Sequence, residues 1–210
     1  MKPVKGYKEA TATSFSKAER LPAGGYVLKV LDVKEESYDW GDVIILRFDI
    51  AEGEHKGFFD KQYKAMQDEY KKWKGTYRIN VPVQKGTSED DVNKYKRSLG
   101  FFKSQIEAFN KSNANTNIDC SKEWNTSVLK NKLVGAVFGN KEWEMNGRSG
   151  WFTNCDHLIP AEDIRNDNFT IPKDKPLGNK SKSSSEPAES TIDGDDFELV
   201  DGGEEQPVPF

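Results

Sequence analysis

Aromatic and basic side chains are interleaved along two stretches of the chain, residues 58–64 and 70–78. Single-stranded nucleic acids need both chemistries, because rings stack on unpaired bases at ~1–3 kcal/mol each and Lys or Arg neutralises phosphates. The candidate contacts from these stretches are Phe58, Lys61, Tyr63, Lys64, Lys72, Trp73, Lys74, Tyr77 and Arg78. The alternative is that several rings belong to the core while the Lys side chains reach outward past them. Trp73 and Trp40 have polar neighbours, so for these two we predict contact rather than burial.

Patterns typical of catalysis or metal binding are weak. Cys120, Cys155, His55 and His157 have neither Cys-x-x-Cys nor His-x-x-x-His spacing. The chain also has no Gly-x-Ser-x-Gly motif and no Gly-rich phosphate loop. We therefore expect a protein that is not an enzyme and that uses no metal or other cofactor. A nuclease or another DNA-processing enzyme is the alternative, and product formation from labelled DNA with Mg²⁺ would reveal it.

The elements that must position these residues are mostly short strands. The pattern predicts a strand over residues 26–33, a turn at 39–42 and a second strand over 43–50, in which apolar residues alternate with Arg47 and Asp49. Residues 57–63 read as a third strand, and 77–81 as a short further piece of sheet. Arg47 therefore joins the candidate contacts, on the polar face of the second strand.

One helix and one hairpin follow. Leu99, Phe102, Ile106 and Phe109 form a single apolar stripe at helical spacing, Ser88 is a plausible start, and the Asn-rich residues 110–117 end the helix. Downstream, residues 133–145 and 148–158 flank Asn146-Gly147, a strong hairpin signal. A two-residue loop there predicts that one face carries Lys141, Trp143, Met145, Arg148, Gly150 and Phe152.

Five strands with one helix between the third and fourth predict an all-β dominated fold, an oligonucleotide-binding (OB) barrel. Folds of this kind bind along strands 2–3 and through the loops joining strands 1–2 and 4–5. Those two loops hold Tyr38 and Trp40, and Trp143 and Arg148. With Lys141, these residues complete the predicted DNA-binding set.

Charge divides the chain into unlike regions. Residues 1–180 carry 30 basic and 26 acidic side chains, whereas residues 181–210 carry one Lys and nine acids. We predict a flexible arm at 1–20, the barrel at 21–172 and a disordered acidic tail at 173–210. No apolar run approaches the ~18–20 residues of a membrane span, and the first 20 residues lack a signal-peptide core, so we expect a cytoplasmic protein with no membrane partner.

The tail ends in Pro-Val-Pro-Phe, and an exposed terminal ring has no folding purpose. This ending resembles the acidic tails of bacterial and bacteriophage single-stranded DNA-binding proteins, and residues 139–148 look like phage-encoded members from Gram-positive hosts. The resemblance implies a barrel that coats single-stranded DNA, in the cytoplasm of a bacterial host, and a tail that recruits replication, recombination and repair proteins. The partner-binding residues it implies are Asp195, Asp196, Glu204, Glu205, Pro209 and Phe210. A homo-oligomer is among the outcomes left open. The alternative is a protein–protein adaptor or a replication inhibitor whose barrel binds no DNA.

Overall fold

The computed structural model describes residues 20–66 and 71–177, which form a five-stranded antiparallel sheet with helices around it. The strands are β1 (Gly24–Tyr38), β2 (Gly41–Ile50), β3 (Thr76–Asn80), β4 (Leu133–Met145) and β5 (Arg148–Ile159). The helices are α1 (Phe58–Ala65), α2 (Glu89–Ser112) and α3 (Ala161–Arg165), with a 3-10 turn at Thr126–Leu129. The predicted arm, apart from Arg20, and the predicted tail from residue 178 onward lie outside the described residues.

The strand order across the sheet is β3-β2-β1-β4-β5, so the longest strand lies in the middle. β1 pairs with β4 through residues 24–29 and with β2 through residues 28–38. No strand pairing among the described residues closes the sheet. The two edge strands nevertheless meet at one point, where the Tyr77 hydroxyl of β3 donates to the Asp156 carbonyl of β5 at 3.4 Å. The prediction of an all-β dominated fold is confirmed. A helix, α2, does lie between β3 and β4, but β3 corresponds to the predicted short piece of sheet at 77–81 and not to the predicted third strand.

The core lies between one face of the sheet and the second half of α2. Ile44, Leu46, Phe48 and Ile50 are all buried, as the alternation in β2 predicts. The Ser88 hydroxyl accepts a hydrogen bond from the Asp91 amide and so caps α2, as expected. Of the predicted stripe, Phe102, Ile106 and Phe109 are buried. Leu99 is 42% exposed, because it lies in the N-terminal half of α2, where none of the described residues is buried.

The predicted strand at residues 57–63 is wrong, because these residues form α1 instead. Gly57, at φ +72°, turns the chain in the left-handed region just before the helix. Asp49 was expected on the solvent face of β2, but its side chain is buried and accepts the amides of Phe59 and Asp60 at 3.0 and 3.1 Å. A carboxylate at this position accepts hydrogen bonds from amides that have no partner within the helix. Its negative charge is also stabilised by the positive N-terminal end of the α1 dipole.

The hairpin between β4 and β5 forms as predicted. Asn146 (φ 52°) and Gly147 (φ 73°) both have positive φ, as a type I′ turn requires. Met145 is paired with Arg148 and Trp143 with Gly150. Residues 139–154 extend past the end of β1, where β1 no longer pairs with β4, and we call them the distal hairpin.

Residues 173–177, which the charge pattern assigns to the tail, lie along the free side of β4, and we call them the strap. The Glu142 amide donates to the Lys175 carbonyl at 2.9 Å, and the Lys175 amide donates to the Asn140 carbonyl at 2.9 Å. The Lys175 ammonium also reaches the Asp156 carboxylate at 3.1 Å. The strap thus adds a short parallel partner to the distal hairpin.

Candidate nucleic-acid interface

Arg47 meets three residues of the interleaved stretches where β2 and β3 begin to pair. The Arg47 guanidinium lies over the Trp73 ring, 4.5 Å from its centroid. Trp73 contacts Tyr63 with ring centroids 5.6 Å apart, and the Lys71 ammonium lies 4.7 Å from the centroid of Tyr63. We call these four residues the Arg47–Trp73 cluster. They come from β2, from α1 and from the segment before β3, so only the tertiary structure brings them together.

Trp73 is fixed in place by its indole nitrogen, which donates to the Phe48 and Gly75 carbonyls at 3.0 and 3.1 Å. Its ring is half-buried and packs against the main core. Gly75 makes this position possible. A Cβ there would lie 2.4 Å from the Phe48 carbonyl oxygen and 2.8 Å from the Trp73 indole nitrogen. The ring is therefore held rigidly, with Arg47 against one face.

A second aromatic group lies at the turn between β1 and β2. Tyr38 and Trp40 are stacked, with ring centroids 5.1 Å apart and planes 7° apart, and we call them the Tyr38–Trp40 stack. The Tyr38 hydroxyl donates to the Glu36 carboxylate, a bond that raises the pKa of Tyr38. The Glu36 carboxylate also accepts from the Lys34 ammonium at 2.6 Å, and this bond is the main reason why its pKa is lowered.

The sheet register places cations between these two aromatic groups. Ile45 of β2 is flanked by Lys34 on β1 and by Arg78 on β3, so all three residues share one row and one face. Arg47 lies two residues further along β2 on the same face. Arg47 lies six positions along β2 from Gly41 at the turn, which corresponds to about 20 Å of strand. The outer face of β1–β3 thus carries rings at both ends and, between them, the cations Lys34, Arg47 and Arg78. The same face also carries the carboxylates of Asp32 and Glu36, which pair with Lys130 and Lys34.

The distal hairpin carries the third group of predicted contacts. Lys141 and Arg148 are exposed, and the Trp143 indole lies flat over Gly150, where a Cβ would come within 2.9 Å of the indole nitrogen. The distal hairpin lies beyond Gly24, the first residue of β1, because β4 continues past its pairing with Gly24. Tyr38 is the last residue of β1, at the opposite end of that strand. The two loops predicted to bind DNA therefore lie at opposite ends of the central strand.

Two residues predicted as contacts lie in the core instead. Phe58 is buried and makes edge-to-face contacts with Phe59 and His55. The Tyr77 ring packs against the main core cluster, and burial raises the pKa of its hydroxyl well above the usual range. Phe58 is thus buried and Tyr77 is partly buried against the core, so neither is a freely exposed ring of the kind on which a base stacks. We remove both from the candidate interface.

The remaining predicted cations are exposed. Lys61 and Lys64 lie on α1, where the Lys64 ammonium pairs with Asp60 at 2.7 Å, and Lys72 and Lys74 flank Trp73. Lys34 and Lys71 are further candidate contacts that the sequence did not single out. The interleaved pattern around residue 70 is a signal for Lys71, but Lys34 is revealed only by the register with Arg78. The predicted partner-binding residues Asp195, Asp196, Glu204, Glu205, Pro209 and Phe210 lie outside the described residues.

Two further kinds of site are absent from the part of the chain that the structure describes. No three His, Cys, Asp or Glu side chains there are grouped to hold a metal ion. None of the helices within residues 20–66 and 71–177 combines the length and apolar composition that a membrane crossing requires. No protein-family model matches the chain, and no curated protein is significantly similar to it.

Proposed function

We propose that the chain is a single-stranded DNA-binding protein of the bacteriophage type, with an OB fold as its body. The strand order, the helix between β3 and β4 and the pairing of β1 with both β2 and β4 support the OB assignment. The contact between Tyr77 and Asp156 supports a sheet that curls until its edge strands approach each other. In this fold the binding surface is the face of strands 2–3, together with the loops on either side.

The observation that carries the proposal is the Arg47–Trp73 cluster. An arginine stacked on an indole, with a second ring and a lysine beside it, is the combination that binds a base and its phosphate together. Because its hydrogen bonds fix the indole, little side-chain entropy is lost when a base stacks there. The row of Lys34 and Arg78 leads from this cluster toward the Tyr38–Trp40 stack, along the direction that a strand would follow, with Lys34 paired to Glu36 until a phosphate competes for it.

This arrangement favours single strands over duplexes. Bases in a duplex are already stacked on one another, so only an unpaired strand offers its bases to protein rings. Affinity should fall with rising salt, since log K decreases with log salt by ~0.7 for each phosphate contact on a single strand. The protein performs no reaction in this proposal. It coats exposed DNA in the cytoplasm of a bacterial host and delivers partners to it.

Recruitment of replication, recombination and repair proteins is assigned to the acidic tail. Its acidic side chains and the Phe210 ring suit an apolar pocket with basic residues at its edge. Deleting Phe210 alone should abolish capture of such partners while DNA affinity stays nearly unchanged. If partner proteins are still captured after Phe210 is deleted, recruitment does not depend on the Phe210 ring.

The decisive experiment is a titration of labelled oligo(dT) at two salt concentrations, with a duplex of equal length as the control. Arg47→Ala combined with Lys71→Ala should weaken binding by about tenfold or more and reduce the salt dependence by about one to two phosphate contacts. Lys96→Ala combined with Arg97→Ala is the charge-matched control on exposed positions of α2, away from the proposed face. Unchanged Trp fluorescence and no binding of oligo(dT) would overturn the proposal and favour an adaptor that binds no DNA.

A further inference from the structure

The outer part of β5 is an unpaired sheet edge. β5 is the last strand in the order, and from Arg148 to Asn154 its only strand partner within residues 20–66 and 71–177 is β4. The opposite side of the distal hairpin differs, because the strap covers the free side of β4 there. One side of this ribbon therefore has a partner and the other side does not.

The strap also shows which backbone groups of β5 point outward. The Glu142 amide donates a hydrogen bond to the strap and the Asn140 carbonyl accepts one from it, so these two groups point away from β5. In an antiparallel pair, a residue whose groups point away from the partner strand faces a residue that does the same. Trp151 and Thr153 are the register partners of Glu142 and Asn140. Their amides and carbonyls, and those of Ser149 by alternation, therefore point to the outer edge.

This edge lacks the features by which proteins usually prevent edge pairing. Between Arg148 and Asn154 there is no Pro and no Lys, and the bulge of β5 lies further on, opposite the step from Val137 to Phe138. Trp151 and Phe152 are 38% and 39% exposed, on opposite faces of the strand. The other edge strand, β3, has only five residues. Of the two edges, β5 is the one suited to receive another strand.

We propose that this edge pairs antiparallel with the β5 edge of a second copy of the chain, about a two-fold axis at Trp151. This register places Trp151 opposite its own copy, Ser149 opposite Thr153, and Phe152 opposite Gly150. The first two pairings are favourable in antiparallel sheets, where aromatic pairs and Ser–Thr hydrogen bonds stabilise neighbouring strands. At the third, Phe152 comes beside the Trp143 indole that already lies over Gly150. In this register Ser149, Trp151 and Thr153, whose amides and carbonyls point outward, form the hydrogen-bonded pairs between the two copies. The direction of the backbone groups and the pairing of the side chains therefore favour the same register.

The dimer would enlarge the candidate interface. Arg148 and Phe152 share a face of the hairpin with Lys141 and Trp143. Joining two hairpins edge to edge makes that face continuous between the copies, with twice the number of cations and rings. The pairing itself rests on the backbone and on the residues of β5, and it does not depend on DNA binding.

The first test is the mass of the full chain in solution, measured by sedimentation equilibrium over a range of concentrations. The wild type should form a dimer, and Trp151→Lys should be monomeric with an unchanged melting temperature, because two ammonium groups would then face each other at the axis. Leu99→Lys is the matched control, since Leu99 is exposed to a similar extent but lies on α2. A wild type that is monomeric at every concentration, or a Trp151→Lys variant that remains dimeric, overturns the proposal.

The second test checks the register by disulfide trapping in a Cys120→Ser background. Trp151→Cys should cross-link under mild oxidation, because hydrogen-bonded antiparallel partners lie about 5.5 Å apart at Cα, within the range that a disulfide spans. Ser149→Cys alone should not, since its copies would lie roughly 14 Å apart along the strands. A mixture of Ser149→Cys and Thr153→Cys should give the mixed dimer. Equal cross-linking of Ser149→Cys and Trp151→Cys would contradict this register.

Discussion

Trp73 and Trp143 lie beside cationic residues in two regions of the same sheet, but they are held in different ways. The Trp73 indole is bonded to two carbonyls and packs on the core, at a position where β2 has neighbours on both sides. Trp143 lies on the distal hairpin, with its indole over the backbone of Gly150. The first ring contributes to folding as well as to the candidate interface. The second can be altered without disturbing the core, so the two regions separate stability from binding.

The largest expected effect is on the stability of the first region. Trp73→Ala removes two hydrogen bonds and a half-buried ring, so we expect the free energy of unfolding to fall by about 2–3 kcal/mol, somewhat less than the ~3–5 kcal/mol of a fully buried ring. Trp143→Ala should change it by less than about 0.5 kcal/mol. Urea unfolding followed by circular dichroism measures both. Unfolding of the Trp143→Ala protein would show that this ring belongs to a core.

The same contrast can be tested without removing either ring, by substituting the glycine under each. In Gly75→Ala the new methyl group meets a backbone carbonyl, and overpacking of this kind costs about 1–3 kcal/mol. In Gly150→Ala it meets the movable end of a side chain, so stability should change by no more than about 0.5 kcal/mol. Melting temperatures give the comparison. Equal losses would mean that Trp143 is held as rigidly as Trp73.

DNA binding should respond in both regions. Trp143→Ala combined with Arg148→Ala should weaken binding to oligo(dT) by about 1–3 kcal/mol, the contribution of one stacked base, with the melting temperature nearly unchanged. Fluorescence anisotropy of a labelled oligonucleotide measures the change. Thr170→Ala with Lys173→Ala, at exposed positions outside the proposed interface, is the control. Unaltered affinity of the hairpin variant would restrict the interface to the outer face of β1–β3.

The smallest effect concerns how the strap supports the distal hairpin. A hydrogen bond with His157 and then one from Lys175 hold the pKa of Asp156 at about 2, below its ordinary value of 3.8. Because the pKa is lowered in the folded protein, this stabilisation is complete above about pH 4 and is lost as pH falls toward 2. The pair with Lys175 is half-exposed, so Lys175→Ala should cost only about 0.2–1 kcal/mol at neutral pH.

Hydrogen exchange at the Glu142 amide, which bonds the strap, reports this change locally. Exchange should become faster in Lys175→Ala, and in the wild type as pH falls below 4 after correction for the intrinsic rate. Asp156→Asn should remove that acid dependence. Lys173→Ala is the control from the same segment. If the acid dependence survives in Asp156→Asn, another group holds the strap.

Local patterns in the sequence determined the elements that depend on neighbouring residues. Asn146-Gly147 sets the hairpin and its register because both residues tolerate positive φ, and Ser88 begins α2 because its hydroxyl accepts a free amide. The alternation in β2 predicts its buried face for the same local reason. The candidate site was predicted in part, since Arg47, Tyr63 and Trp73 were all identified from their residue types and neighbours.

Tertiary structure decided what depends on partners distant in the chain. Residues 57–63 look like a strand until the Asp49 carboxylate, ten residues before Phe59, is seen to bind the amides at the start of α1. Phe58 and Tyr77 have the same types and neighbours as surface rings, and only packing buries Phe58 and partly buries Tyr77 against the core. A charge pattern likewise cannot show that residues 173–177 bond the free side of β4. Sequence fixes turns, caps and periodicity because these are short-range, whereas burial and contact depend on which distant segments fold against each residue.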